Sequence, residues 1–215
     1  HASYRRQRQM CIRDSDTSSS KINSLRRKGN TVICYFSAGS YENWRSDLDR
    51  VPDRAIGKKL DGWAGEKWLD IRHKEVRNLA RSRMNLAVRK GCQGVDPDNL
   101  DAYGNNSGFS ISKSDSKSFI QSLVDSARIR RLKIGLKNAA ELASHFASRM
   151  DWVVAEECHQ YNECSSYKKF AQKKKPIFQV EYRSKSDRLC DRARSAKASL
   201  IFANYDLNGK ISFCD

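Results

Sequence analysis

From Ser20 to Ala203, short apolar runs alternate with longer amphipathic runs, and this alternation confines the chain to an α/β fold built on a parallel sheet. Thr31–Phe36 is a continuous apolar run, the pattern of a strand buried on both faces. Six more short runs read as strands: 68–71, 94–97, 133–136, 152–155, 177–182 and 199–203. Helical stretches lie between them. Ser20–Lys28 stops at Gly29. Lys74–Lys90 carries Val76, Leu79, Ala80, Met84, Ala87 and Val88 on one stripe and ends at Gly91. Residues 116–131, 139–149, 167–172 and 186–196 complete the series, and 41–48 reads as a loop or short helix.

Two closures of such a sheet compete, an open doubly wound sheet and a barrel. No strand is followed by GxGxxG or a P-loop, so nucleotide-binding versions lose support. The count of seven strands instead predicts a (β/α)8 TIM barrel lacking its first strand. The 215 residues suit a compact barrel, since the fold spans roughly 200 to more than 400. Residues 1–15 are read as non-native: Met10-Cys11-Ile12-Arg13-Asp14-Ser15 resembles a translated sequencing adaptor, and 16–215 is taken as one domain.

Charge and cysteine narrow the function classes. The net charge of +16 invites a polyanion partner, but the basic residues crowd helical segments. Arg77, Arg81, Arg83 and Arg89 are read as such a solvated helix face. No nucleic-acid motif and no membrane-length apolar run occurs. We therefore expect neither nucleic-acid nor membrane partners, and a monomer. Seven cysteines without a CxxC, and only four histidines, argue against a metal site or a cofactor. With Cys11 set aside, six cysteines allow 15 disulfide pairings.

In a barrel of this kind the chemistry sits at the C-terminal ends of the strands. Those ends here carry Asp70, Asp96, Asp98, Asp101, Glu156, Glu181 and Asp206. Any one of them could be a helix cap. Converging on one rim, Asp70, Asp96, Asp98 and Glu156 would raise one another's pKa and keep one carboxyl protonated beside an ionised partner. That is the requirement of glycoside hydrolysis. Aromatic residues near the rim, Tyr41, Trp44, Trp63, Tyr103, Tyr161, Tyr182 and Tyr205, could stack on sugar rings, whereas Tyr35 reads as core packing.

The blocks that carry these residues resemble glycoside hydrolase family 114, the endo-α-1,4-polygalactosaminidases. They are residues 32–45 (VICYFSAGSYENWR), 66–72 (EKWLDIR), 91–103 (GCQGVDPDNLDAY), 135–138 (GLKN), 156–164 (EECHQYNEC) and 204–207 (NYDL). The resemblance implies a TIM barrel, secretion, and endo-cleavage of a cationic amino-sugar polymer. It implies that Asp98 and Glu156 are catalytic, with Glu156 assigned as the acid. It further implies substrate contacts at Asp70, Asp96, Asp101, Lys137 and Tyr161, to which the rim position adds Tyr41, Tyr103 and Asp206. The chain departs from the family at Asp96, where Glu is usual, and at Ala155, where Asn is usual. Two other readings stay open: hydrolysis of a different polysaccharide, and a catalytically inactive carbohydrate-binding barrel.

Overall fold

The structure is a computed structural model that describes residues 9–13, 17–205 and 211–214. It divides into two compact units, His1–Ile134 and Gly135–Asp215. The strands are β1 (Gln9–Arg13), β2 (Thr31–Ser37), β3 (Ser40–Glu42), β4 (Ile56–Lys59), β5 (Glu66–Leu69), β6 (Gly94–Asp98), β7 (Lys133–Lys137), β8 (Trp152–Glu156), β9 (Ile177–Glu181), β10 (Ser199–Phe202) and β11 (Ser212–Phe213). The helices are α1 (Ser19–Arg27), α2 (Lys74–Lys90), α3 (Lys113–Ile129), α4 (Ala140–Phe146), α5 (Lys168–Gln172) and α6 (Asp187–Ser195).

In the first unit β1 pairs in parallel with β2, and β2 in parallel with β6. β6 then pairs with the start of β7 through Gly94 and Val95. The sequence expectation ended this strand at Pro97, but it continues to Asp98, with Phe36 opposite Pro97 and Ser37 opposite Asp98. β2 supplies Val32, Ile33, Cys34 and Phe36 to the core with essentially no exposure. Phe119, Ile120, Leu123 and Val124 of α3 and Val76, Ala80, Met84 and Ala87 of α2 are buried likewise. Each large apolar side chain so buried contributes about 1.5–3 kcal/mol.

α2 ends as the sequence foretells, on Gly91 in the left-handed conformation. α3 begins three residues earlier than expected. Ser112 and Asp115 form a reciprocal capping box there, worth about 1 kcal/mol, which the apolar stripe alone does not reveal.

Three expectations change in this unit. The run at 68–71 does not join the parallel sheet. Its Trp68 and Leu69 end β5, in a separate three-stranded antiparallel sheet ordered β3-β5-β4, and Asp70 and Ile71 follow the strand. Tyr41, expected in a loop or short helix, lies in β3 opposite Lys67. Arg83, expected on a solvated face, is buried and paired with Glu42 and Asp47, so the charge is compensated inside the fold.

Residues 1–15, expected outside the fold, include Gln9–Arg13, which forms a strand in register with Thr31–Tyr35. A parallel ladder is made by main-chain groups that nearly every residue carries, so it is indifferent to the segment's origin. The foreign origin of residues 1–15 remains a proposal. Sequencing the source DNA across this junction tests it, and a native frame running straight through would refute it.

In the second unit β7 pairs in parallel with β8, β8 with β9 and β9 with β10, while β11 returns antiparallel on β10. Leu142, Ala143 and Phe146 of α4 and Phe170 of α5 are buried. Leu189, Cys190, Ala193, Leu200 and Phe202 make a second cluster between α6 and β10. The cysteines resolve into three disulfides: Cys34–Cys92 in the first unit, and Cys158–Cys164 and Cys190–Cys214 in the second. Three disulfides are the usage of an oxidising compartment. Among the described residues no helix is long and apolar enough to cross a membrane.

Candidate active site

The parallel strands end in a repeated local device. The residue after Asp98, after Lys137 and after Glu156 adopts a left-handed φ: Asn99 at 58°, Asn138 at 51° and Glu157 at 52°. Each chain therefore turns sharply just past a chemistry-bearing side chain. Asn tolerates this conformation, and Glu does so less readily.

In the first unit Asp98 closes β6. Its Oδ2 accepts the Tyr35 hydroxyl at 3.0 Å and its Oδ1 accepts the N–H of Asn99 at 2.8 Å. Its carbonyl accepts the N–H groups of Ala38 and Gly39 at 2.9 and 3.2 Å. Gly39 has no alternative there, since a Cβ would lie 1.9 Å from the Asn99 carbonyl oxygen. Tyr35, expected as core packing, thus touches the candidate carboxylate.

Behind Asp98 runs a relay of polar groups. The Asn99 amide donates to Ser37 Oγ at 2.8 Å and Ser40 Oγ at 3.2 Å. The two hydroxyls lie 2.6 Å apart, and Ser40 Oγ donates to Glu66 Oε2 at 2.6 Å. Ser37, Ser40 and Glu66 are all buried. A satisfied buried network of this kind rigidifies what it holds.

Other candidates in this unit are distributed around it. Asp96 is 1 % exposed on β6. Asp70 follows β5, outside the parallel sheet, and Arg72 grips it with Nε at 2.8 Å and Nη2 at 2.9 Å. Burial pushes the Asp70 carboxyl up, but the Arg72 bonds and charge more than offset this and hold it below its ordinary value. Asp101 precedes a 3-10 turn, where its carbonyl accepts Gly104 N–H and the Asn105 amide. Tyr103 has the Lys113 ammonium 5.9 Å from its ring centroid. Tyr41 packs against the cluster of Leu48, Val51, Ala55, Leu69, Val76 and Leu79.

In the second unit Glu156 closes β8. Its Oε2 is ion-paired with Lys137 Nζ and accepts the Asn138 amide at 3.0 Å. Its Oε1 accepts the Tyr182 hydroxyl at 2.5 Å. Asn138 also accepts the Glu156 N–H at 2.9 Å, so one side chain fixes both ends of the residue. Burial pushes the Glu156 carboxyl up, and the charge and hydrogen bond of Lys137, with Tyr182 and Asn138, overcome it and hold the group below its ordinary value. This corrects the expectation that crowded carboxylates keep one of the pair protonated: at Glu156 the neighbours are a cation and two donors.

Beyond Glu156 the chain forms a closed loop. Glu157 donates its N–H to the Val180 carbonyl at 2.7 Å and accepts Tyr161 N–H at 3.0 Å, and Cys158–Cys164 joins the two ends. Tyr161 is 61 % exposed on this loop. Tyr205 donates its hydroxyl to Glu157 Oε1 at 2.6 Å and stacks on Tyr182, with ring centroids 4.7 Å apart. The same bond pushes the Tyr205 phenol up to about 12. Cys158, His159 and Cys164 lie close together, but the two sulfurs are bonded to each other. Asp206 lies outside the described residues.

Lys137, expected only as a substrate contact, is thus brought against Glu156. Asn138, Tyr35, Asn99, Ser40, Glu66 and Glu157 were not singled out. The hint for two of them was present, since Asn after a strand-terminal charged residue is the residue type a left-handed turn accepts.

These features agree with what similarity to known proteins shows. The model of glycoside hydrolase family GH114 matches residues 3–215. The crystal structure of Aspergillus fumigatus Ega3 in complex with galactosamine is 40% identical and superposes with a TM-score of 0.92, covering 100% of this chain and 90% of Ega3. The glycoside hydrolase domain of PelA from Pseudomonas aeruginosa is 13% identical, with a TM-score of 0.73 over 95% of this chain and 90% of that domain, and speaks to the fold alone. No curated protein matches the chain. The protein is a glycoside hydrolase with the α/β barrel class of fold expected from its sequence. It belongs to family GH114.

Proposed function

We propose that this chain is a secreted, monomeric endo-hydrolase of α-1,4-linked galactosamine-containing polysaccharide, with Asp98 and Glu156 as its catalytic carboxylates. The observation that carries the reading is the state of Glu156. It is a half-buried carboxylate whose three side-chain partners are Lys137, Asn138 and Tyr182, arranged at the end of a parallel strand. The 40% identity to Ega3, whose crystal structure holds galactosamine, supports an amino-sugar substrate.

Glu156 is the group that exchanges the proton with the glycosidic oxygen, and Asp98 is its partner as nucleophile or base. In the free enzyme Lys137 keeps Glu156 ionised. A sugar that draws Lys137 away removes the two largest influences holding the pKa down, so the pKa rises and Glu156 becomes a better proton donor. Asp98, fixed through its main chain as well as its carboxylate, holds its position while this happens. Lys137, Tyr161 and Asp96 contact the substrate.

Size analysis of products from long α-1,4-galactosamine chains tests the endo mode. Mid-length fragments early in the reaction are expected. Release of monosaccharide alone would contradict it.

A further inference from the structure

Glu157 is not needed for the conformation it occupies. At the two comparable strand ends the left-handed residue is Asn, which suits that backbone. At the third it is Glu, at φ 52°, a conformation that costs of the order of 1–3 kcal/mol for most side chains. The surrounding structure over-determines it: both main-chain hydrogen bonds of the residue are made, and the Cys158–Cys164 bridge closes the loop it begins. A strained residue so firmly held points to a use for its side chain.

That side chain sits beside a stack of two tyrosine rings. Tyr182 touches Glu156 through its hydroxyl, Tyr205 stacks on Tyr182, and the Tyr205 hydroxyl touches Glu157. Tyr205 is 58 % exposed, so part of its ring is open to a ligand. The bond from Tyr205 occupies Oε1 of Glu157. A sugar ring lying on this face would have an aromatic platform beneath it and a carboxylate at its edge. A neutral N-acetyl group gains nothing from that carboxylate, whereas a 2-ammonium forms a charge-assisted hydrogen bond.

We propose that Glu157, positioned by Tyr205, is the residue that selects free-amine sugar units over N-acetylated ones, by pairing with the 2-ammonium of a sugar stacked on Tyr205. This rests on the reading of the chain as a hydrolase of galactosamine polymers and deepens it. The bland alternative is that Glu157 serves only to anchor Tyr205.

The test compares wild type, Glu157→Gln and Tyr205→Phe on two substrates, de-N-acetylated and fully N-acetylated α-1,4-galactosamine oligomers. The selection account expects kcat/KM on the free-amine oligomer to fall about tenfold or more in Glu157→Gln, through KM, because a bond to a charged group is lost. Activity on the acetylated oligomer should not fall, so the ratio collapses. Tyr205→Phe should move the ratio the same way by less. An unchanged ratio in Glu157→Gln would overturn the proposal. Failure of the underlying reading looks different: wild type then releases no reducing ends from either oligomer. In that event calorimetric affinity for the free-amine oligomer decides, a tenfold loss in Glu157→Gln supporting selection and equal affinities refuting it.

Discussion

The surroundings of Asp98 and of Glu156 solve the same problem, holding a carboxylate at a strand end, by different physics. Asp98 is fixed by geometry. Its carbonyl receives two N–H groups from the turn after β2, and the Asn99 beside it is tied through two serine hydroxyls to the buried Glu66. Glu156 is fixed by charge. Lys137 neutralises it, and Asn138 and Tyr182 fill out its oxygens. Changes near Asp98 should therefore alter where a group sits, and changes near Glu156 should alter how tightly it holds a proton.

Four substitutions can break or sharpen that contrast. The largest effect is expected at Arg83, whose removal takes the forked partner from Asp47 and a buried cation from Glu42, which keeps Arg45. Arg83→Ala should lower stability by about 3–5 kcal/mol in urea unfolding. A loss under 1 kcal/mol would mean that the first unit does not depend on this buried charge.

Lys137→Met comes next and should act through protons. In wild type the Glu156 pKa is depressed from its ordinary value of 4.5. Glu156 therefore contributes stability above pH 4.5 that is lost as pH falls through the lower, folded value. Without Lys137 the two largest lowering influences are gone, so the pKa rises from its wild-type value and less of this stability is present to be lost on acidification. Unfolding free energies should therefore fall less steeply with acidification in Lys137→Met than in wild type. Parallel slopes would show that Lys137 does not control the group.

Asn99→Ala should cost less, about 1–3 kcal/mol, because it removes the amide that donates to the Ser37 and Ser40 hydroxyls. Its mark should be a lower kcat with little change in the pH profile. A shifted profile instead would put Asp98 in the same class as Glu156. Tyr182→Phe is the mildest, removing one hydrogen bond to Glu156 for about 1–2 kcal/mol. It should move the basic limb of the activity profile to higher pH, because Glu156 acts as the proton donor, and an unmoved limb would exclude Tyr182 from setting that pKa.

The same contrast explains what could be read from the sequence. The parallel strands were legible because their buried faces are written as unbroken apolar runs, as in Thr31–Phe36. The candidate carboxylates were legible because strand ends mark the site in a barrel. Two features lay beyond local pattern. The antiparallel β3-β5-β4 sheet is built from short, partly polar strands such as Ile56–Lys59, which lack a distinctive period. Arg83 looks like any helix-face arginine until Glu42 and Asp47 arrive from elsewhere in the chain. Tyr35 was misjudged for a related reason: its ring is half buried as expected, but its hydroxyl has a partner 63 residues away. The raised proton affinity expected at Glu156 failed because the sequence displays its acidic neighbours and conceals that Lys137 is the one in contact.

The most direct test of the account is reducing-end release from purified α-1,4-galactosamine oligomers by wild type, Asp98→Asn and Glu156→Gln. Activity in wild type, with a loss of about 10²–10⁴-fold or more in both variants and no change in unfolding midpoint large enough to explain it, is the predicted result. Wild-type activity that survives either substitution would contradict the assignment of Asp98 and Glu156 as the catalytic pair.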